Sequence, residues 1–150
     1  MADFTRTRGR YEISTEPARV DLEAVHAYVT RSYWAEGISK DVVAKAVAGS
    51  LCFSLFDGGA QVGFARVVTD RATFAYLCDV YVLEQHRGQG LGKWLMEELM
   101  CHPDLQGLRR FVLVTKDPQR LYEPFGFETP ERSGHYMELF RPDIYKRRAG

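Results

Sequence analysis

The run from Val80 to Met96 constrains the fold most, because an apolar stretch is followed by alternating glycines and then by an amphipathic stretch. This order predicts a β-strand, a glycine-rich loop and an α-helix in direct succession. The three glycines from Gly88 to Gly92 remove side chains where the backbone turns into the helix. Bare N–H groups then lie at the positive end of the helix dipole, between Arg87 and Lys93. The loop is therefore predicted to bind an anion, most naturally a phosphate or pyrophosphate.

Two common phosphate motifs do not fit this loop. A dinucleotide fingerprint, Gly-x-Gly-x-x-Gly, would need a small residue where the chain has Lys93. A Walker A loop would need glycine and then serine or threonine where the chain has Arg87 and Trp94. The pattern Gln/Arg-x-x-Gly-x-Gly/Ala does fit, and it is matched by Gln85, Gly88 and Gly90.

With this loop the chain resembles the GNAT superfamily of acetyltransferases, whose members hold the pyrophosphate of acetyl-CoA at the same place. A second segment, Leu121 to Phe127, looks like the family's Leu-Tyr-x-x-x-Gly-Phe segment. The resemblance covers the chain from about residue 10 to residue 141. It implies an α/β fold with a mixed, mostly antiparallel sheet, a splayed central parallel pair and flanking helices. Residues 1–150 are then one N-acetyltransferase domain.

Composition agrees with one globular domain of this size. The 150 residues are 45% hydrophobic and carry no net charge, which gives no reason to expect nucleic acid or an acidic membrane as a partner. No apolar run is long enough to span a membrane, and the N-terminal residues are not typical of a signal peptide. Three cysteines and four histidines show neither disulfide nor metal-ligand spacing. We therefore expect a cytoplasmic setting and a metal-free mechanism.

Hydrophobic periodicity predicts the element order β-α-α-β-β-β-α-β-α-β. A strand at Tyr11–Ile13 precedes two helices, for which Asp21 and Ser39 are the predicted N-caps. The later strands are predicted at 51–56, 61–69, 73–83 and 111–114, a helix at 91–100, a short helix at 119–122 and a last strand around 135–140.

The resemblance also implies the cofactor site. In the family, the strand before the loop pairs its backbone with the pantetheine arm and the acetyl oxygen of acetyl-CoA. These groups would belong here to Val80, Tyr81 and Val82, although they could equally pair with another strand. The implied cofactor-binding residues of the loop are Arg87, Gly88, Gln89, Gly90, Leu91, Gly92 and Lys93.

Tyr122 is the candidate general acid, because it occupies the tyrosine position of the second family segment. A thiol has a pKa of about 8.5 and a tyrosine of about 10, so a tyrosine beside the sulfur can return a proton to a leaving thiolate. Two other roles stay open for Tyr122. Its ring could cover the core, or its hydroxyl could position the thiol without transferring a proton.

Asp79 is the candidate catalytic carboxylate, since it is the one acidic residue inside the predicted central strand. A structural, hydrogen-bonded Asp79 is an equal alternative, and deprotonation of the amine through water stays open. Strand alternation places Asp79 on the face opposite Cys78 and Tyr76, unless a bulge intervenes. Cys78 stands where similar diamine acetyltransferases carry Glu, which weighs against a polyamine acceptor.

The acceptor pocket is expected in the loop between the first two helices, which faces the splayed strands in the resembled fold. Its candidate residues are Tyr33, Trp34 and Glu36, with His135 and Tyr136 opposite, and plain packing is the alternative for the two aromatic residues. Aromatic rings with one carboxylate suit a cationic amine.

The sequence therefore predicts an acetyl-CoA-dependent N-acetyltransferase that acts on a primary amine of a small molecule by direct transfer. Cys78 and Cys101 are disfavoured as nucleophiles because neither has a histidine nearby in the predicted strand or helix pattern, so buried thiols are expected. The alternatives are a non-catalytic acyl-CoA-binding sensor and an enzyme that acetylates a protein or peptide amine. Edge strands of a small sheet also allow a homodimer.

Overall fold

The computed structural model describes residues 4–116 and 121–146. In this part of the chain the helices begin where the sequence supplies caps. The side chain of Asp21 accepts the Ala24 N–H at 3.1 Å, and that of Ser39 accepts the Val42 N–H at 3.3 Å. The third helix has instead Gly90 as its N-cap, with a φ of 76° and no side-chain cap. The α-helices are α1 (Leu22–Val29), α2 (Lys40–Ala48) and α3 (Leu91–Met100).

Six strands form one sheet, whose spatial order follows the chain from the first strand to the sixth. They are β1 (Thr5–Arg8), β2 (Tyr11–Ser14), β3 (Leu51–Asp57), β4 (Ala60–Thr69), β5 (Phe74–Val82) and β6 (Arg110–Leu113). Each neighbouring pair is antiparallel except β5 and β6, which run parallel after the α3 crossover. The expected mixed, mostly antiparallel sheet is confirmed, and its parallel pair lies at the β6 edge of the described sheet.

Helices cover both faces of the sheet and divide the core into two clusters. On one face, Leu95, Met96 and Leu99 of α3 are fully buried against strand residues such as Leu55 and Leu77. On the other face, α1 and α2 bury a second apolar set, which comprises Val25, Val29, Val43, Phe64 and Tyr81 among others. Burial of these side chains on two faces provides the main stabilisation of the sheet.

The strand predicted at Tyr11–Ile13 is confirmed as β2, but β1 before it was not predicted; Gly9 turns the chain at φ 59° and joins the two as a hairpin. One local expectation is corrected. The last predicted strand, around 135–140, is absent: Ser133–His135 forms a 3-10 turn, and no described strand pairs with the residues that follow. A strand exists only through a paired edge, and this segment does not reach one among the described residues.

The short helix predicted at 119–122 falls largely on residues 117–120, which lie outside the described residues. Among the residues that follow, Glu123–Phe125 forms a 3-10 turn that ends at Gly126. Over the described ranges, none of the helices combines the length and apolar character that crossing a membrane requires.

Candidate active site

Strand β5 contains a bulge at Asp79. Arg66 of β4 pairs with Cys78 and Phe64 pairs with Tyr81, so three steps along β5 oppose two steps along β4. The extra residue is Asp79 itself, whose φ of 53° is in the left-handed region. Non-glycine residues rarely adopt this conformation, and they do so mostly where the surrounding structure enforces it.

The bulge changes which side chains share a face. Leu77 before it and Val80 after it both pack toward the α3 cluster. Asp79 binds Arg66, which also lies beside Cys78, so these side chains share the opposite face. The expectation that Asp79 faces away from Cys78 is wrong, because one inserted residue shifts the alternation of the strand.

Both carboxylate oxygens of Asp79 accept hydrogen bonds. Arg66 Nε donates to Oδ2 at 2.8 Å, and Trp34 Nε1 donates to Oδ1 at 2.8 Å. The Asp79 and Arg66 side chains are only 13% and 18% exposed, and Arg66 also donates to Ser50 Oγ at 3.1 Å. The carboxylate therefore joins two strands and the α1–α2 loop, which is an arrangement typical of a positioning group.

Aromatic side chains gather beside the bulge. Tyr28 stacks flat on Tyr81, with ring centroids 3.9 Å apart and planes 5° apart. Trp34 lies 6.4 Å from Tyr28, and Tyr33 meets Trp34 edge-on at 5.1 Å. Tyr33 and Trp34 are exposed, and the Lys116 ammonium lies 4.0 Å above the Tyr33 ring. These exposed ring faces can attract a cation, as the contact with Lys116 shows within the chain itself.

The other candidate acceptor residues turn toward the C-terminal segment. Glu36 forms an ion pair with Lys146 at 3.4 Å, and a side chain on the neighbouring Gly37 would collide with the Tyr145 carbonyl. His135 and Tyr136 are exposed, and the Tyr136 hydroxyl donates to Glu138 at 2.7 Å. Glu36 therefore does not join Tyr33 and Trp34 at the bulge.

The glycine-rich loop presents a row of free N–H groups. The first helical hydrogen bond runs from Trp94 N–H to Gly90 O at 3.0 Å. Within the described residues, no acceptor meets the N–H groups from Gly88 to Lys93, and α3 has no side-chain cap. Gly88 and Gly90 both have positive φ, and no atom lies within 4 Å of where their Cβ atoms would be. The N–H groups therefore surround open space, which is the arrangement of an anion nest.

Side chains on either flank hold the loop in place. Arg87 donates through Nε to the Val82 carbonyl at 2.9 Å and through Nη2 to the Tyr28 hydroxyl at 2.9 Å. His86 Nδ1 lies 3.0 Å from the hydroxyl of Tyr11 in β2. The Arg87 charge therefore stays beside the row of N–H groups. Its hydrogen bond occupies the carbonyl of Val82, a residue that the family resemblance assigned to cofactor binding.

The parallel pairing of β5 with β6 ends before β5 reaches the glycine-rich loop. Phe74–Leu77 of β5 pairs with Arg110–Leu113 of β6, and the ladder stops there in the described structure. Among the described residues, the second half of β5, which includes Val80 and Tyr81, pairs with β4 alone. Its backbone on the β6 side has no strand partner there, as the expectation of a splayed pair requires.

Tyr122 lies next to the cluster that contains α3 and packs against it. Burial raises the pKa of Tyr122, and the neighbouring Tyr33 phenol raises it further. No described residue hydrogen-bonds its hydroxyl. The structure thus places the candidate acid near the aromatic loop, with a protonated and available phenol.

The cysteine side chains do not offer an activated thiolate at this site. Burial raises the pKa of Cys78 to about 12 and that of Cys52 to about 12. A thiol with such a pKa is protonated at neutral pH and is a poor nucleophile. No cluster of three or more metal-ligating side chains occurs within the described ranges.

Three residues of the site were missed by sequence reasoning. Arg66 had a signal, because an arginine inside an apolar strand needs a buried counter-charge. Tyr28 and Lys116 had none, since their contacts with Tyr81 and Tyr33 join segments far apart in the chain.

Comparison with known proteins agrees with this geometry. A sequence profile of the acetyltransferase (GNAT) domain family matches residues 48–129. A curated relative from Gibberella zeae, described as a candidate acetyltransferase, is 34% identical, and the match covers 77% of each chain. A crystal structure from Xanthomonas campestris pv. campestris, described as a candidate GNAT-family acetyltransferase, is 45% identical with a TM-score of 0.89, covering 91% of this chain and 97% of that one.

A more distant structure supports the fold. A predicted acetyltransferase from Clostridium acetobutylicum, solved with acetyl-CoA, is 15% identical with a TM-score of 0.62, covering 87% of this chain and 94% of that one. The profile match and the sequence identities together establish that this chain belongs to the GNAT family of acetyltransferases.

Proposed function

We propose that the chain is an acetyl-CoA-dependent N-acetyltransferase that moves an acetyl group directly to a primary amine of a small molecule. The observation that carries the proposal is the row of N–H groups from Gly88 to Lys93, which meets no acceptor among the described residues. Family membership supports acetyl transfer as the reaction class. The raised pKa values of Cys52 and Cys78 favour direct transfer over an acetyl-enzyme intermediate on these thiols.

The residues of the loop fit a pyrophosphate. The open space at Gly88 and Gly90 lets the backbone approach the ligand, and the α3 dipole adds partial positive charge. Lys93 contributes a formal positive charge in the first turn of α3. The edge of β5 near Val80 and Tyr81, which β6 does not pair with, suits an extended pantetheine arm. Acetyl-CoA supplies an acetyl group activated as a thioester. Its presence in the Clostridium acetobutylicum structure supports this choice of cofactor.

The side chains around the bulge then take separate roles. Tyr122 holds a proton at its hydroxyl at neutral pH and is proposed as the general acid. Tyr33 and Trp34 offer ring faces to the cationic amine before it reacts. Asp79 is proposed as a positioning residue that holds Trp34 through its Oδ1, rather than as the base.

The proposal is tested by two measurements on the purified chain. Isothermal titration calorimetry measures acetyl-CoA binding, and release of free CoA thiol is followed against a panel of amines, amino acids, aminoglycosides and short peptides. Thiol release that depends on a small amine supports the proposal. Release with peptides alone would favour a protein or peptide acetyltransferase, and binding without turnover would favour a sensor. Failure to bind acetyl-CoA would overturn the proposal entirely.

A further inference from the structure

One cation beside the α1–α2 loop lacks an anionic partner among the described residues. Lys116, which follows β6 in the chain, is exposed, and its ammonium lies 4.0 Å from the centroid of the Tyr33 ring. In residues 4–116 and 121–146, no carboxylate pairs with this ammonium. A ligand that approaches Tyr33 therefore meets a positive charge that the described residues leave unbalanced.

The carboxylates at this loop already have cationic partners. Three ion pairs engage them: Asp79 with Arg66, Glu36 with Lys146, and Glu84 with Arg31. Asp79 also accepts the Trp34 indole N–H, so both of its oxygens are engaged. A carboxylate that turned toward Lys116 would leave another cation without its partner. The loop therefore has no spare acidic group for Lys116 within the described structure.

This charge opposes the binding of a simple amine. An amine with a pKa of about 10.4 is an ammonium ion at neutral pH. The Tyr33 ring that would attract it already holds the Lys116 ammonium, and two like charges against one ring repel each other. An anionic group on the acceptor itself would reverse the sign of this interaction. That group would pair with Lys116, while the amine would keep the ring of Trp34.

The two ends of such an acceptor would meet groups from different strands. Trp34 is held to β5 through Asp79, whereas Lys116 follows β6. The ladder between these strands ends before the bulge, so the two groups lie where the strands no longer pair. Tyr33 contacts both, with its ring centroid 5.1 Å from that of Trp34 and 4.0 Å from the Lys116 ammonium. This spacing of about one ring suits a small molecule whose amine and anionic group are close together.

We propose that the acceptor amine carries an anionic group, a carboxylate or a phosphate, and that Lys116 selects for it. The inference rests on the proposed amine acetylation and adds a substrate class to it: an amino acid, or an amine that carries a phosphate ester. A lysine ammonium is a compact point charge, so it pairs with either anion. Lys116 acts on acceptor binding and takes no part in the bond changes of acetyl transfer.

The test compares acceptors in matched pairs that differ only in the anionic group. Phenylalanine with phenethylamine and tryptophan with tryptamine test a carboxylate, and phosphoethanolamine with ethanolamine tests a phosphate. For each pair, kcat/KM of the anionic member is divided by that of its partner. Lys116→Gln should lower this ratio about fivefold relative to wild type for the preferred anion, near the upper end of what an exposed ion pair contributes. Lys116→Glu should lower it further. Comparing variants cancels the intrinsic reactivity of the two amines.

Lys45→Glu is the matched control, because it makes the same change of charge at an exposed position of α2 and should leave every ratio unchanged. Circular dichroism establishes that each variant is folded, and calorimetry measures the affinity for acetyl-CoA. Ratios that Lys116→Glu leaves unaltered would overturn the inference, and so would an effect confined to acetyl-CoA affinity. Absence of thiol release with all six amines would instead count against the proposed amine acetylation, and the inference would fall with it.

Discussion

The indole N–H of Trp34 donates to Asp79 at 2.8 Å, across 45 residues of sequence. The same carboxylate accepts from Arg66 at 2.8 Å, so a surface loop and two central strands share one acidic group. The position of Trp34 therefore depends on a residue held in an unfavourable backbone conformation inside the sheet.

Replacing Asp79 with Asn should destabilise the fold, because it leaves the mostly buried Arg66 guanidinium without its counter-charge. Loss of one partner of a buried pair typically costs about 3–5 kcal/mol, and we expect about 3 kcal/mol here since the pair retains some exposure. Urea unfolding measures the change. The control is Glu23→Gln, which breaks the exposed pair with Lys40 and should leave the midpoint unchanged. Equal midpoints for Asp79→Asn and wild type would refute the role assigned to the pair.

Trp34→Phe keeps an aromatic ring and removes only the indole donor. We expect the KM for the amine to rise about tenfold, as for the loss of one hydrogen bond to a charged group, while the KM for acetyl-CoA and kcat stay close to wild type. Adding Asp79→Asn to this variant should raise the amine KM little further, because the two changes remove the same contact. Fully additive effects would show that Asp79 does not act through Trp34.

A spectroscopic readout tests the same contact without any substrate. The chain has two tryptophans, so Trp94→Phe leaves Trp34 as the sole reporter. In this background, Asp79→Asn should increase quenching of Trp34 fluorescence by acrylamide, since the ring is released from the sheet. Unchanged quenching would mean that other contacts hold the indole.

Gly90→Glu should abolish acetyl-CoA binding, because it places bulk and negative charge where the N–H groups converge. Gly58→Glu is a matched control: both glycines have positive φ, and neither has an atom within 4 Å of its Cβ position. The backbone strain is thus similar at both sites, while Gly58 lies in the β3–β4 hairpin turn. Calorimetric titration with acetyl-CoA measures the difference, and equal binding by the two variants would argue against the loop as the site.

Tyr122→Phe should lower kcat by about 100-fold, at the lower end of what one acid–base group contributes, and should leave acetyl-CoA affinity unchanged. Because burial and then Tyr33 raise the pKa of Tyr122 above its usual value near 10, the phenol stays protonated through neutral pH. The wild-type rate should therefore fall only when the pH rises above about 10. Tyr145→Phe, at an exposed position outside the candidate site, is the control. A normal kcat in Tyr122→Phe would remove this residue from the mechanism.

Stability should fall in mild acid because of His102. Burial lowers the pKa of His102 below its ordinary value of 6.5, although Asp104 opposes this. The ring lies 5.5 Å from both Phe4 and Phe53. A lowered pKa in the folded state means that the stabilisation is complete above pH 6.5 and is lost as the pH falls through the folded value. Urea unfolding between about pH 7 and about pH 5 should show a decline in stability that His102→Leu reduces. If stability falls as steeply in His102→Leu as in the wild type, other groups cause the effect. His135→Gln, at an exposed position, is the control and should leave the pH dependence unchanged.

Local chemistry made much of the fold predictable. The caps at Asp21 and Ser39 and the turn from the glycine-rich loop into α3 depend on neighbouring residues alone, so sequence patterns indicate them correctly. The face of Asp79 was not predictable, because the bulge is set by pairing with β4 and by the two hydrogen bonds that hold the carboxylate.

The prediction of a last strand around 135–140 was wrong for a related reason. Its sequence has the apolar content of a strand, but whether it forms one depends on pairing with an edge, and no strand in the described part of the chain pairs with it. The separation of Glu36 from Tyr33 likewise follows from its contact with Lys146, near the other end of the chain.

The bulge at Asp79 means that β5 behaves as two half-strands of opposite phase. Regular alternation through Asp79 would instead turn the phenol of Tyr81 toward α3 and would turn Val80 and Val82 toward the helices α1 and α2. The one extra residue therefore decides which surface is presented to the aromatic loop and which is buried beneath the glycine-rich helix. Deletion of Asp79 alone would keep both surfaces, because it restores a regular ladder with β4, but it would remove the carboxylate that joins Trp34 to Arg66.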